Sequence, residues 1–253
     1  MEHNQLSEAK ILQQKNPDEY TSKLKLAEEL LNNPIPEDER LYNIALFLDR
    51  RIISRFLYIN EIYQKVIPLH GVMMEFGVNY GQNLALLQNL RSIYEPFNAN
   101  RKLIGFDTFE GFPVVAPEDG KGVKEGDFTV PENYDEFLSK ILNFHQKNSA
   151  LSNLQLTELV KGDASLTVPA YLKNHPETII SFAYFDMDIY KPTKDVLEAI
   201  IPYLTKGAII AFDEINDANW PGETIALREV LGTNKFRIHH STFRGTAAYL
   251  VYE

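Results

Sequence analysis

The chain has 253 residues and a formal net charge of -10, from 35 acidic against 25 basic side chains. That average field repels phosphate backbones and anionic lipid surfaces, which sets nucleic acid and membranes aside as partners. The absence of cysteine removes disulfides, thiolate zinc sites and cysteine nucleophiles together, while hydrophobic and charged fractions of 44% and 24% are those of an ordinary folding chain. Residues 1–20 lack the basic start and apolar run of a signal peptide, so the expected location is the cytoplasm.

From Glu2 to about Ile67 the pattern is helical: Leu41, Ile44, Ala45, Leu48, Ile52, Phe56 and Ile59 recur at spacings of three and four, which predicts one apolar face. A shorter helix is predicted over Tyr20 to Asn32, and Pro34 and Pro36 put a turn between the two. Residues 1–67 thus read as a helical extension ahead of a domain over 68–253.

Beyond Pro68, short apolar runs alternate with amphipathic stretches, the signature of βαβ units around a parallel sheet. The predicted strands are Val72 to Gly77, Lys102 to Thr108, Gln155 to Lys161, Ile179 to Asp186, Ala208 to Asp213, Arg237 to Phe243 and Ala247 to Tyr252. Val196, Leu197, Ile200, Ile201 and Leu204 form a helical stripe, with Gly207 placed where that helix would stop. Only Arg244, Gly245 and Thr246 separate the last two strands, which should pair as an antiparallel hairpin and make the sheet mixed. The segment Pro113 to Asn133 reads as a long loop, either a lid or disordered.

The first βα turn, MEFGVNYG, ends a strand at Glu75 and Gly77 and enters a helix at Gly81, where an α/β sheet binds its ligand beyond the carboxyl ends of the strands. Gly77 and Gly81 would let a ligand approach the backbone closely. The spacing departs from the dinucleotide pattern G-x-G-x-x-G, which tilts the reading from NAD toward another nucleoside. Asp107, about thirty residues on at the end of the next strand, could accept hydrogen bonds from ribose hydroxyls, or simply hold a turn. Asp163 and Ser165 in KGDAS could read an adenine edge, or cap a helix.

AYFDMDIY sets Asp186 and Asp188 after an apolar strand, and AFDEIND sets Asp213 and Glu214 at the end of the following one. Carboxylates so close together need a bound cation, protonation or basic side chains to offset their repulsion. A hard divalent cation, Mg2+, on Asp186, Asp213 and Glu214 is the expectation; it would lower the pKa of a substrate hydroxyl while a nearby carboxylate removes the proton. Trp220 in NWPGE, with Glu223, is a secondary candidate for stacking on a sugar or aromatic acceptor, against the alternative that it anchors its loop.

In their order, MEFGVNYG, GFDTFEGFP, KGDAS, YFDMDIYKPTKDVLEAIIPYLTKG and AFDE resemble the macrocin O-methyltransferase family over about Val72 to Gly232, and FDMDIYKPTK with FDEINDANWPGE resembles its branch acting on deoxysugars in enediyne biosynthesis. The resemblance implies a class I methyltransferase fold, with a seven-stranded mixed sheet, helices on both faces and an N-terminal helical extension. It implies S-adenosylmethionine as donor, often with Mg2+, and a small sugar-containing acceptor. By position, Glu75, Gly77 and Gly81 match the donor-binding turn, Asp107 the ribose-contacting acid, Asp163 and Ser165 the adenine-contacting pair, and Asp186 and Asp213 metal-binding aspartates. The general base is expected at Asp186 or Asp188. Where the family has a second consecutive aspartate this chain has Glu214, and residues 1–67, outside the match, correspond to regions that in relatives cover the acceptor or build oligomer contacts. Two rival readings remain: a nucleotide-binding oxidoreductase, and a non-catalytic binding protein that keeps the fold.

Overall fold

The computed structural model describes residues 17–253, so the part of the helical pattern falling on residues 1–16 lies outside the described residues. Helix α1 is Pro17–Leu31 and α2 is Arg50–Val66. The single apolar face predicted from Leu41 to Ile59 does not run through: a short 3-10 turn at Ile44–Phe47 intervenes, and Leu41 is 82% exposed while Ile59 is fully buried. The cause is a helix start in mid-pattern. The Asp49 carboxylate accepts hydrogen bonds from the backbone N–H groups of Arg51 and Ile52, a cap that satisfies two donors which a new helix leaves unpaired.

Strands and helices then alternate in the predicted order: β1 Val72–Phe76, α3 Gln82–Tyr94, β2 Leu103–Asp107, α4 Tyr134–Lys147, β3 Thr157–Lys161, α5 Ala164–Asn174, β4 Ile180–Phe185, α6 Tyr190–Ile200, β5 Leu204–Phe212, α7 Gly222–Val230, β6 Ile238–His240 and β7 Ala248–Tyr252. The seven strands form one sheet in the order β3-β2-β1-β4-β5-β7-β6. β7 runs antiparallel to both β5 and β6, and the other pairs are parallel. Every residue of β4 is buried, because helices cover both faces of the central strands. Helices α2, α3 and α4 pack on the face that carries Met73, Phe182 and Tyr184, and α5, α6 and α7 on the face that carries Phe76, Phe185 and Phe212.

Two local readings are corrected. Gly207 does not stop a helix; it lies inside β5 with φ +89, and the preceding helix ends at Ile200, where Pro202 in the following 3-10 turn lacks the N–H that would continue it. The terminal hairpin is looser than expected, because β6 ends at His240 and residues 241–247 form the connection.

The long 113–133 loop is a packed cover. Phe112, just before it, and Phe128 within it meet Trp220 edge-on, and Val123 joins Trp220 and Ile189 in a small apolar cluster. Asp119 accepts hydrogen bonds from the N–H groups of Tyr190 and Ala116, which ties the loop to the first turn of α6. Among the described residues, no helix is long and apolar enough to cross a membrane.

Candidate active site

The strand order reverses between β1 and β4, so the chain leaves the two strands in opposite directions and opens a crevice at their carboxyl ends. A cavity of about 810 Å³ lies there, lined by the ends of β1 to β5, by α2, by the 113–133 loop and by the β6–β7 connection. Gly77, at φ +88, stands at the reversal point: a Cβ on it would lie 1.9 Å from the carbonyl oxygen of Asp186. Gly81, at φ +79, opens α3, and a Cβ there would meet Leu138 at 2.4 Å. The expected reason for these glycines is thereby revised. Close packing of chain segments and left-handed backbone demand them, and only Gly77 reaches the cavity wall.

Asp107 and Asp163 line the cavity. Asp107 accepts from the N–H of Asn79 at 2.7 Å and of Phe109 at 2.6 Å, which holds the β1–α3 turn against the end of β2; burial nonetheless raises its carboxyl above the ordinary range. Asp163 caps α5 by accepting from the N–H of Ser165 at 2.9 Å. Both thus do the turn and capping work that was the plainer alternative, and both retain lone pairs for a ligand. The Ser165 hydroxyl is buried without a hydrogen-bond partner, beside the cavity-lining Ala164. A buried polar group without a partner is costly, and a nucleoside edge could supply one. Glu75 lies off the cavity wall, fully enclosed under Asp186 and Arg55. Burial first, then the Asp186 charge, pushes its carboxyl well above the usual range, and neither oxygen makes a hydrogen bond of good geometry, although the Asn83 amide favours its charged form.

The carboxylate rim assembles as predicted at the ends of β4 and β5, where Asp186, Asp188, Asp213 and Glu214 all line the cavity. Its charge balance differs from the expectation. Arg55 of α2 places its guanidinium 3.5 Å from Asp186 Oδ2 and 3.8 Å from Asp213 Oδ2. Arg244, from the β6–β7 connection, donates to Asp213 Oδ2 at 2.7 Å, and the Tyr184 hydroxyl donates to Asp213 Oδ1 at 2.7 Å. Asn83 completes the bridge, its amide donating to Asp186 Oδ2 and accepting from Arg55, each at 3.2 Å. Among the described residues, no group of three or more His, Asp or Glu side chains is arranged to hold a metal ion. Of the expected Mg2+ ligands Asp186, Asp213 and Glu214, Asp213 is engaged on both oxygens by Tyr184 and Arg244, and here basic side chains supply the counter-charge that was expected of the ion.

Burial, then Asp213, pushes the Asp186 carboxyl up to about 7, opposed by Arg55 and Arg244. A fifth of the Asp186 side chain (20%) remains reachable from the cavity. Asp188 is raised well above the usual range by burial and by Glu214, and holds a left-handed backbone at φ +63. Arg55 is held charged by Asp213 and Asp186 although burial works against it.

Glu223 and Trp220 are not open to an acceptor, which corrects their assignment. Glu223 is fully buried and accepts from the N–H groups of Met187 and Asp188 at 3.1 and 3.3 Å, shaping the rim from behind. Trp220 is 2% exposed and anchors its loop against Phe112 and Phe128. The residues missed by sequence reading are Arg55, Asn83, Tyr184 and Arg244. Asn83 alone carried a usable signal, two positions after Gly81 on the first turn of a helix that points at the crevice.

The strand order, the glycine turn at the reversal point and the acids at successive strand ends define a class I S-adenosylmethionine-dependent methyltransferase. No family model matches the chain, and no curated protein does. Among solved structures, it is similar to CalS11, calicheamicin methyltransferase, with 43% identity, 94% of each chain covered and a TM-score of 0.91. A second structure of CalS11, described as TDP-rhamnose 3'-O-methyltransferase of calicheamicin biosynthesis, matches at 40% identity over 94% of this chain and 96% of that one, with a TM-score of 0.84. The O-methyltransferase NovP shares the fold alone, at 16% identity over 79% of this chain and 80% of that one, with a TM-score of 0.60. The chain belongs to the macrocin-type family of S-adenosylmethionine-dependent O-methyltransferases, on the branch that CalS11 represents. The oxidoreductase and non-catalytic alternatives fall with that membership.

Proposed function

We propose that the protein methylates a hydroxyl of a deoxysugar, with Asp186 as the general base. The single observation that carries this reading is the state of Asp186: a carboxyl at the β1–β4 reversal, on the cavity wall, poised near 7, with both its Asn83 and its Arg55 contacts on one oxygen. The other oxygen is left to take a proton. A base whose pKa lies near the working pH combines a useful deprotonated fraction with a real driving force for proton transfer.

S-adenosylmethionine, when bound, supplies an electrophilic methyl group. The residues that would hold it are those around Gly77, with Asp107 for the ribose and Asp163 and Ser165 for the adenine. Asn83 and Arg55 hold the Asp186 carboxylate in one rotamer, so that alignment with the acceptor hydroxyl does not have to be established at each encounter. Asp188 is the weaker candidate for base, because it is 8% exposed and its carboxyl is pushed up by burial and by Glu214. Mg2+ is not required by this reading, because Arg55 and Arg244 supply positive charge beside Asp186 and Asp213.

The similarity to CalS11 supports a deoxysugar as acceptor. The exposed Leu31, Leu41, Tyr42 and Leu46 support contacts between copies through the N-terminal extension, which light scattering on the full chain tests. The reading as a whole is tested by incubating the protein with S-adenosylmethionine and TDP-rhamnose and following the sugar by NMR. A new O-methyl signal is expected, and transfer to water or protein alone would overturn it.

A further inference from the structure

The sheet order β3-β2-β1-β4-β5-β7-β6 divides the cavity in two. The residues suited to the donor, Gly77, Asp107 and Asp163, stand at the ends of β1, β2 and β3, on one side of the reversal. The other side is left to the acceptor, walled by the ends of β4 and β5 and by the β6–β7 connection. That half is strongly charged: Asp186, Asp188, Asp213, Glu214 and Arg244 line it, and such groups suit hydroxyls. One side chain there has a different character. Phe243 lines the cavity, is 40% exposed, and belongs to none of the three apolar clusters among the described residues. The neighbouring apolar residues after β4, Met187 and Ile189, are buried.

A lone exposed phenylalanine on a convex surface calls for no explanation. Phe243 instead stands in a concave site, on a segment that is held in place. The Ser241 hydroxyl accepts from the N–H groups of Phe243 and Arg244, each at 3.1 Å, and Ser241 is itself buried. The Arg244 guanidinium is tied to Asp213 at 2.7 Å, and the Thr246 carbonyl accepts from the N–H of Ile215 at 2.8 Å. The ring is thus carried one position from a residue pinned to the carboxylate rim, so little further ordering is needed to present it to a ligand.

We propose that Phe243 is a specificity-determining residue that packs against the methyl group of a 6-deoxysugar, and so makes the missing hydroxyl count in the choice of acceptor. This rests on the deoxysugar O-methyltransferase reading above and adds the residue that separates such a sugar from a fully hydroxylated one. A methyl group against the ring leaves water at a gain. A hydroxymethyl group in its place gives up a hydrogen bond to water for a surface that offers none in return. An apolar contact of this kind rejects an added hydroxyl by up to about a hundredfold.

The test compares TDP-rhamnose with the same sugar nucleotide bearing a hydroxyl on C6, by calorimetric titration of the full chain saturated with S-adenosylhomocysteine and by steady-state kinetics. The wild type is expected to prefer TDP-rhamnose by about tenfold or more in both affinity and kcat/KM. In Phe243→Ala the preference falls to about threefold or less, because TDP-rhamnose binds more weakly, whereas Phe243→Leu keeps an apolar surface and retains most of it. Unchanged affinity for S-adenosylhomocysteine shows that the variants are folded. Equal treatment of the two sugars by the wild type, or the same preference in wild type and Phe243→Ala, overturns the proposal and leaves the methyltransferase reading standing. Binding without methylation of either sugar strikes that reading instead, and the affinities alone then decide the role of Phe243. Binding of neither overturns both.

Discussion

Arg55 and Asp186 stand 131 positions apart in the chain and meet at 3.5 Å, which joins the N-terminal extension to the carboxylate rim of the sheet. The guanidinium lowers a carboxyl that burial and Asp213 raise, so its loss should push the Asp186 pKa further up. In Arg55→Ala the acid limb of the pH–rate profile is expected to move to higher pH, with turnover near neutrality reduced about tenfold, and Arg55→Lys should restore part of it. A profile superimposable on the wild type would show that Arg55 does not set the state of Asp186.

If Asp186 is the base proposed above, Asp186→Asn should abolish methyl transfer and leave the affinity for S-adenosylhomocysteine within about threefold, because only a transition-state interaction with the acceptor is removed. Calorimetry with the demethylated donor checks this; parallel loss of binding would move Asp186 to the donor site. In the wild type, kcat/KM for the acceptor should fall as pH drops below about 7, where the base carries its proton.

Stability should run the other way. The Asp186 carboxyl titrates at about 7 in the folded chain against an ordinary value of 3.8, so between those values the folded state holds a proton that the unfolded state lacks. Stability is then fully present below the lower value and is lost as pH rises through the upper one; Asp188 and Glu223, also raised by burial, act in the same sense. Thermal melts should give a higher Tm near pH 6 than near pH 8, with the difference reduced in Asp186→Asn. A Tm that climbs from pH 6 to pH 8 contradicts this assignment.

Gly77→Ala should cost about 3 kcal/mol or more, since it combines a left-handed backbone with a Cβ placed 1.9 Å from the Asp186 carbonyl oxygen. Chemical denaturation measures the loss, and activity should fall beyond it because relief of the clash displaces Asp186. An alanine variant as stable as the wild type would mean that β1 and β4 can part at little cost.

Arg244→Ala frees one Asp213 oxygen and removes a competing cation from the rim. Binding of Mn2+ as a reporter for Mg2+, followed by its paramagnetic signal, should tighten by about tenfold relative to the wild type. Equal affinity in both proteins would show that an ion, where it binds, does not use Asp213.

Much of this protein was legible in the order of its residues. The alternation of apolar runs with amphipathic stretches marked all seven strands, because period and composition are local properties that survive into the fold. The acids at the ends of β4 and β5 were likewise readable, since a parallel sheet delivers successive strand ends to one edge. What failed locally failed for local competition: the Asp49 cap divided a continuous apolar pattern, and Pro202 ended α6 before Gly207 could.

The tertiary structure alone decided the counter-charge. Arg55 and Arg244 come from α2 and from the β6–β7 connection, on opposite sides of Asp186 in the chain, and nothing in their own neighbourhoods marks them as partners of Asp213. It likewise turned Trp220 inward and buried Glu223 behind the rim. Period and spacing record which way a backbone segment turns its side chains. Which charges come to share a low-dielectric crevice depends on packing between segments far apart in sequence, and that is what sets two arginines against a row of acids.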